Sequence, residues 1–327
     1  MSIVIRLITG IVVLLLLDSL AACSTKSSRT SDDDAAILTN RIAVDGLERE
    51  YQFTVPEQAN NIPLVILLHG NGGSPEVMTG ANGRSAPHKV WLALATQHQF
   101  AVAIPRGLEG LNGSAGWNDC RNDATSNPMA DDVAFISRLI DQMAANYPID
   151  LNRVYLAGTS NGGMMAMRLG IELRNKITAI APIVAAMPVN SECTNPAPIP
   201  ILFMNGTDDP ILPFAGGTIG RPRDNRGVVY SLTDSVWRWI DANGGLVAST
   251  SENLPDINTR DNSTVSREVF STNSNNDVVV YTVAGGGHTE PSIAEQYTNV
   301  YEVIVGEQNH DIEMAEVIWA FFQDKVR

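Results

Sequence analysis

Short apolar runs at 63–69, 100–104, 153–157, 177–184 and 199–204 are each bounded by Gly, Pro or polar residues and separated by stretches of a different period. A run of this length without polar alternation suits a strand covered on both faces, as in a mostly parallel sheet. Between the runs the apolar spacing becomes helical. Val133, Ile136, Leu139, Ile140, Met143 and Tyr147 recur at three- and four-residue steps and predict a helix over 132–147. Leu232, Val236, Trp239 and Ile240 repeat the pattern, and 312–322 predicts a closing helix. The segment 49–55 alternates like an antiparallel edge strand, and 278–283 reads as the last strand. Residues 246–276 are polar and predict no regular element. Strands alternating with helices predict an α/β fold, a doubly wound and mostly parallel sheet flanked by helices.

The chain has 327 residues, 44% of them hydrophobic and 18% charged, which excludes wholesale disorder. A formal net charge of −14 and the lack of any basic run argue against nucleic acid as a partner. The first residues stand apart. Arg6 precedes an apolar stretch over 7–17, shorter than a comfortable bilayer span, and Asp18 interrupts it. Leu20-Ala21-Ala22-Cys23 then resembles a bacterial lipobox, with small residues for a signal peptidase and a thiol for acylation. This reading stands ahead of an ordinary signal peptide or an uncleaved anchor, because neither needs a cysteine there. The predicted organisation is a lipoprotein signal peptide over 1–22, a polar tether over 23–39 beginning at lipidated Cys23, and one catalytic domain over 40–327. Export and membrane attachment through that lipid, on the periplasmic or cell-surface side, follow as expectations. Of three cysteines, Cys120 and Cys193 remain; both lie in loop-like sequence and are expected to form a disulfide in an oxidising compartment.

The run 153–157 leads into Gly158-Thr159-Ser160-Asn161-Gly162-Gly163, and a helical pattern over 164–173 follows. This is G-x-S-x-G in the strand–turn–helix setting of a nucleophile elbow. A serine at the tip of so tight a turn requires small neighbours two residues away. The helix beginning beneath it directs its first amides at developing negative charge. A serine nucleophile needs a base, and the chain has five histidines. His288, in the loop Gly285-Gly286-Gly287-His288 after the last predicted strand, is the expected base. His69 before Gly70-Asn71-Gly72-Gly73 is expected to shape a loop, His88 and His98 to sit on a surface helix, and His310 to cap or decorate the closing helix. The acid of this fold lies between nucleophile and base in chain order. Asp208 and Asp209 follow the 199–204 strand, and chemistry alone does not separate them. Asp131-Asp132 opens a helix, where negative charge is favourable for its own sake.

Over roughly residues 40–325 the chain resembles the secreted esterases grouped with polyhydroxybutyrate depolymerases and feruloyl esterases. The resemblance rests on Leu68-His69-Gly70, Gly116-Trp117-Asn118, Asp131 to Ile136, Asp150 to Tyr155, the elbow with Met164-Met165, Gly206-Thr207-Asp208-Asp209-Pro210, Gly286-Gly287-His288 and Ile318 to Phe322. It implies an α/β-hydrolase fold and, in the G-T-x-D-P pattern, Asp209 as the acid. It further implies that the backbone amides of Asn71 and Asn161 form an oxyanion hole. Trp117 and Asn118 would border the substrate, with the tryptophan serving equally well as core. The chain departs from the family at Asn71, Asn205 and Glu290; at the last, an aromatic beside the histidine has become a carboxylate. That carboxylate reads either as part of an altered pocket or as a solvent-facing loop residue.

The expected activity is hydrolysis of small or oligomeric carboxylic esters through an acyl-enzyme, with feruloyl, acetyl or hydroxyalkanoate esters as the classes the resemblance suggests. The same triad serves peptidases and acyltransferases, and a non-catalytic surface lipoprotein would keep the fold alone. No G-x-x-x-x-G-K-[ST], H-E-x-x-H, paired C-x-x-C or post-strand G-x-G-x-x-G occurs, so neither metal nor other cofactor is expected.

Overall fold

The chain from β1 (Leu38–Val44) through β2 (Leu47–Thr54) to β3 (Ile62–Leu68) enters the sheet that carries the rest of the molecule. A computed structural model describes residues 36–327 except positions 58, 192, 194, 222, 223 and 225. The signal peptide, Cys23 and most of the tether lie outside the described residues. Helices α1 (Pro75–Met78) and α2 (Val90–His98) precede β4 (Ala101–Pro105) and a short ribbon of β5 (Leu108–Glu109) and β6 (Ala115–Gly116). Then come α3 (Asp132–Asn146), β7 (Ile149–Thr159), α4 (Asn161–Glu172), β8 (Ala179–Ile183) and β9 (Ile201–Gly206). A second ribbon of β10 (Gly217–Thr218) and β11 (Val228–Val229) leads to α5 (Leu232–Ala242). The chain closes through β12 (Leu246–Asn253), β13 (Thr264–Thr272), β14 (Val278–Ala284), α6 (Asn299–Val305) and α7 (Met314–Phe322).

The main sheet runs β1-β2-β4-β3-β7-β8-β9-β14-β13-β12. From β4 to β14 every neighbouring pair is parallel, and both edges are antiparallel. Double coverage accounts for the unbroken apolar runs. Along β3, Leu64, Ile66 and Leu68 enter the core shared with α3, α4 and α5. Val65 and Leu67 point the other way, into the core shared with α2 and α7. Of the predicted face of α3, Ile136, Leu139, Ile140 and Met143 are buried together with Phe135, while Val133 and Tyr147 are partly buried against the same core.

Three expectations need correction. Residues 246–276 hold two strands, β12 and β13, joined antiparallel. β12 is exposed at every position and pairs only with β13, so it has no apolar face to give a period. The segment 49–55 lies one strand inside the edge, because β1 covers it. Finally, Leu38 and Thr39, assigned to the tether, pair with Phe53 and Gln52 within the sheet.

Cys120 and Cys193 form a disulfide with their Cα atoms 5.5 Å apart. It ties the loop after β6 to the one before β9, alongside the Arg121–Ser191 bridge. The bond spans 73 residues, and limiting the unfolded chain to that extent stabilises the fold by about 4 kcal/mol. A Cys120→Ser/Cys193→Ser variant, unfolded in urea beside the wild type, should show a loss of that order. An unchanged midpoint would refute it.

Candidate active site

β7 ends at Thr159 and α4 begins at Asn161, leaving Ser160 alone in the turn at φ 56°, ψ −119°. A non-glycine residue there is strained by about 1–3 kcal/mol and persists only where its surroundings over-determine it. Here they do. The Ser160 N–H donates to the Ile183 carbonyl at 2.8 Å, and its carbonyl accepts from Met164 N–H at 3.0 Å. The two elbow glycines are required by contact. A Cβ on Gly158 would stand 2.3 Å from the Gly162 carbonyl oxygen, and one on Gly162 would stand 2.3 Å from that of Leu68. Ser160 is thereby pushed up and left half-buried.

The loops after β9 and β14 interlock at the same end of the parallel sheet. Asp208 N–H donates to the Gly286 carbonyl at 3.0 Å, Thr207 N–H to that of Val283 at 2.9 Å, and Gly285 N–H to Thr207 Oγ1 at 2.9 Å. This brings His288 Nδ1 to 2.6 Å from Asp209 Oδ2. A carboxylate only accepts, so Nδ1 carries the proton and Nε2 of the neutral ring keeps its lone pair. Asp209 Oδ1 accepts from the Ile211 and Leu212 amides at 2.7 and 2.8 Å, which fixes the carboxylate. Asp208 is exposed and accepts from the Thr207 hydroxyl.

Asn71 and Asn161 also converge. A Cβ on Gly116 would lie 2.8 Å from Asn161 Oδ1 and 3.4 Å from Asn71 Oδ1; one on Gly70 would lie 3.5 Å from Ser160 Cβ. Asn161 is the first residue of α4, where helix geometry leaves the backbone N–H without an internal acceptor. Its side chain is locked to the loop after β6. Oδ1 accepts from Trp117 N–H at 2.7 Å, while Nδ2 donates to the Trp117 carbonyl at 3.0 Å and to Asp119 Oδ2 at 2.5 Å. Asp119 is buried and gripped by Arg121 through Nε and Nη2. Asp119 and Arg121 flank Cys120, and no sequence motif marks either of them.

His69 is held in place. Its Nδ1 donates to the Gly70 carbonyl at 2.8 Å and its Nε2 accepts from Gly107 N–H at 3.0 Å. Burial disfavours its cation and drives its pKa down to about 4. Between 6.5 and about 4 the unfolded chain therefore binds a proton that the folded chain refuses, and stability falls as pH falls across that window. The loss should reach about 3 kcal/mol. Urea titrations at pH 7 and pH 4 should give a smaller difference for His69→Gln than for the wild type; equal differences would exclude the assignment.

Trp117 is fully buried: its indole N–H donates to the His69 carbonyl at 2.8 Å and its ring lies 4.9 Å from that of His69. It is core beneath the loop, and the expectation of a substrate-facing wall is corrected. Asn118 is also diverted. It donates from its backbone to Asp132 at 2.7 Å and from its side chain to the Ala130 carbonyl at 3.0 Å, and it lines a cleft of about 420 Å³ with Met129, Ser137 and Arg168. None of Ser160, Asp209 and His288 lines that cleft. Asp132 forms a buried ion pair with Arg49 at 2.6 Å, a role beyond favouring the helix terminus. Glu290, read as solvent-facing or pocket-altering, is buried with Thr159, Tyr297 and His88 around it. His88 is correspondingly no surface residue. His310 bonds the Ser292 carbonyl through Nδ1, while α7 is preceded by Glu313 at its cap.

A parallel-cored sheet, helices on both faces and a strained serine between strand and helix define an α/β-hydrolase. Residues 49–221 match the model of the phospholipase/carboxylesterase family, and the chain belongs to that family. It is a carboxylic ester hydrolase of the serine hydrolase type. NocK of Nocardia uniformis subsp. tsuyamanensis, which bears an esterase name, is 28% identical over 86% of this chain and 81% of its own. Feruloyl esterase D of Neurospora crassa is 28% identical over 64% of this chain and 71% of its own. The bifunctional acetylxylan esterase/xylanase XynS20E of Neocallimastix patriciarum is 33% identical over 52% of this chain, a match that spans 22% of that protein's length.

Proposed function

We propose that Ser160, His288 and Asp209 hydrolyse esters through a covalent acyl-enzyme. The observation that carries the reading is the 2.6 Å hydrogen bond from His288 Nδ1 to Asp209, formed at the end of the parallel sheet where Ser160 stands at φ 56°. With Nδ1–H committed to the carboxylate, Nε2 takes the Ser160 proton as Oγ attacks the ester carbonyl. The tetrahedral oxyanion accepts from the Asn71 and Asn161 amides, which are preorganised for charge that develops only in the transition state. The imidazolium then protonates the departing alcohol, and a water deprotonated by His288 releases the acid and frees the serine.

The substrate class we favour is the feruloyl or acetyl ester of a soluble oligomer. Relatives named feruloyl esterase and acetylxylan esterase support it, and hydroxyalkanoate oligomers come second. The protein acts outside the cytoplasm, tethered through acylated Cys23, in keeping with its Leu20-Ala21-Ala22-Cys23 sequence and the Cys120–Cys193 disulfide. An ester panel of acetate, butyrate, methyl ferulate and hydroxybutyrate oligomers, with products identified, tests the class. Methyl ferulate or acetate should give the highest kcat/KM with free acid as product; a preference for hydroxybutyrate oligomers would reverse the ranking. Metabolic labelling with a fatty acid should mark the wild type and not Cys23→Ala.

A further inference from the structure

Glu290 lies two residues beyond His288, and Thr159 immediately precedes Ser160. The Thr159 hydroxyl donates to Glu290 Oε1 at 2.6 Å, and the Tyr297 hydroxyl donates to Oε2 at 2.6 Å. Because Thr159 gives its proton to the carboxylate, its oxygen accepts from His88 Nε2–H at 2.8 Å. The same nitrogen stands 3.4 Å from Glu290 Oε1. Glu290 and His88 are buried, and Gln308 holds the Glu290 carbonyl at 2.8 Å and the Tyr297 amide at 2.7 Å. Three side chains, Thr159, Tyr297 and His88, thus close around one carboxylate, between the strand end that presents the serine and the loop that presents the histidine.

We propose that Glu290 is a positioning residue of the esterase reaction, its carboxylate clamping Thr159 to the His288 loop and thereby setting the register of Ser160 against the base. The proposal rests on the reading of Ser160 and His288 as nucleophile and base. A buried charge is a poor device for stability alone, since a well-packed apolar group at such a site is often as good or better. What a carboxylate adds is direction: its two oxygens receive the Thr159 and Tyr297 hydroxyls, His88 is held through the Thr159 oxygen, and one arrangement of the three side chains results. Burial would raise the Glu290 carboxyl, but the His88 contact, followed by the Thr159 and Tyr297 hydrogen bonds, holds it at about 2. The clamp therefore stays ionised at neutral pH. Catalysis is sensitive to such a device, because a displacement of about 1 Å at reacting atoms costs on the order of 100-fold.

The test is a mutant cycle on the full chain with Thr159→Val, Glu290→Gln and the double variant, and with Thr159→Ser as the conservative replacement. Folding is checked by near-ultraviolet circular dichroism. Thr159→Val and Glu290→Gln should each lower kcat about 10- to 100-fold with KM within about threefold, and the double variant should be no worse than the poorer single by more than about twofold. Thr159→Ser, which keeps the hydroxyl, should recover most of the loss. Folded Thr159→Val with wild-type kcat, or single effects that multiply in the double variant, would overturn the proposal. If Glu290→Gln does not fold, Thr159→Val against Thr159→Ser decides alone. Ser160→Ala run in parallel separates the two levels: residual high activity there defeats the triad, whereas an inactive Ser160→Ala beside a fully active Thr159→Val defeats only the clamp.

Discussion

Ser160→Ala should lower ester turnover about 10⁴- to 10⁶-fold while leaving the circular dichroism spectrum and melting temperature near those of the wild type. The large effect follows from removing the atom that carries the acyl group; water in its place must attack without a fixed approach. The small effect on folding follows from the turn. The backbone bonds to Ile183 and Met164, and the glycine contacts that enforce φ 56°, do not involve the serine side chain. Alanine also has a Cβ, so it bears the same backbone strain and relieves none. Steady-state assays on acetate and methyl ferulate esters measure the loss. A variant with near-normal hydrolysis at an unchanged melting temperature would remove Ser160 from the reaction.

The second large effect separates two neighbouring carboxylates. Asp209→Asn should reduce kcat about 10³- to 10⁴-fold, whereas Asp208→Asn should stay within about threefold of the wild type. An amide facing His288 Nδ1 can present its NH₂, which drives the ring proton to Nε2 and leaves no lone pair for the serine proton. The carboxamide oxygen can still take the Ile211 and Leu212 amides, so the fold should survive. The Asp208 carboxylate accepts from the Thr207 hydroxyl and is exposed. Equal effects of the two substitutions on kcat would contradict the assignment.

This pair also shows what the sequence could reveal. Two adjacent aspartates after a strand are chemically equivalent on paper, and family resemblance separated them. In space, the chain turning at Pro210 points the Ile211 and Leu212 amides at Asp209 and at no other carboxylate. The central strands were legible because β3, β8, β9 and residues 154–159 of β7 are buried on both faces, so their composition alone reports their environment. β12 was not, since an edge strand exposed along its length obeys no hydrophobic period. The elbow could be read locally because its steric demands fall on residues two positions apart. The clamp around Glu290 could not, because His88, Thr159 and Glu290 meet across separations of 71 and 131 residues. For Trp117, core and substrate wall are equally open in a loop rich in Gly, Asn and Ser that has no period, and bonds to His69 and Asn161 fold the residue beneath the loop.

Ser160 is proposed as the nucleophile that His288 activates. Treating the folded protein with a fluorophosphonate and mapping the adduct by peptide mass spectrometry tests it directly, because phosphonylation requires an activated serine and no particular acyl pocket. One adduct per chain on the peptide containing Ser160, lost on prior incubation with substrate and absent from His288→Ala, is the result expected. Stoichiometric labelling at another residue, or none in a protein that hydrolyses esters, would contradict it.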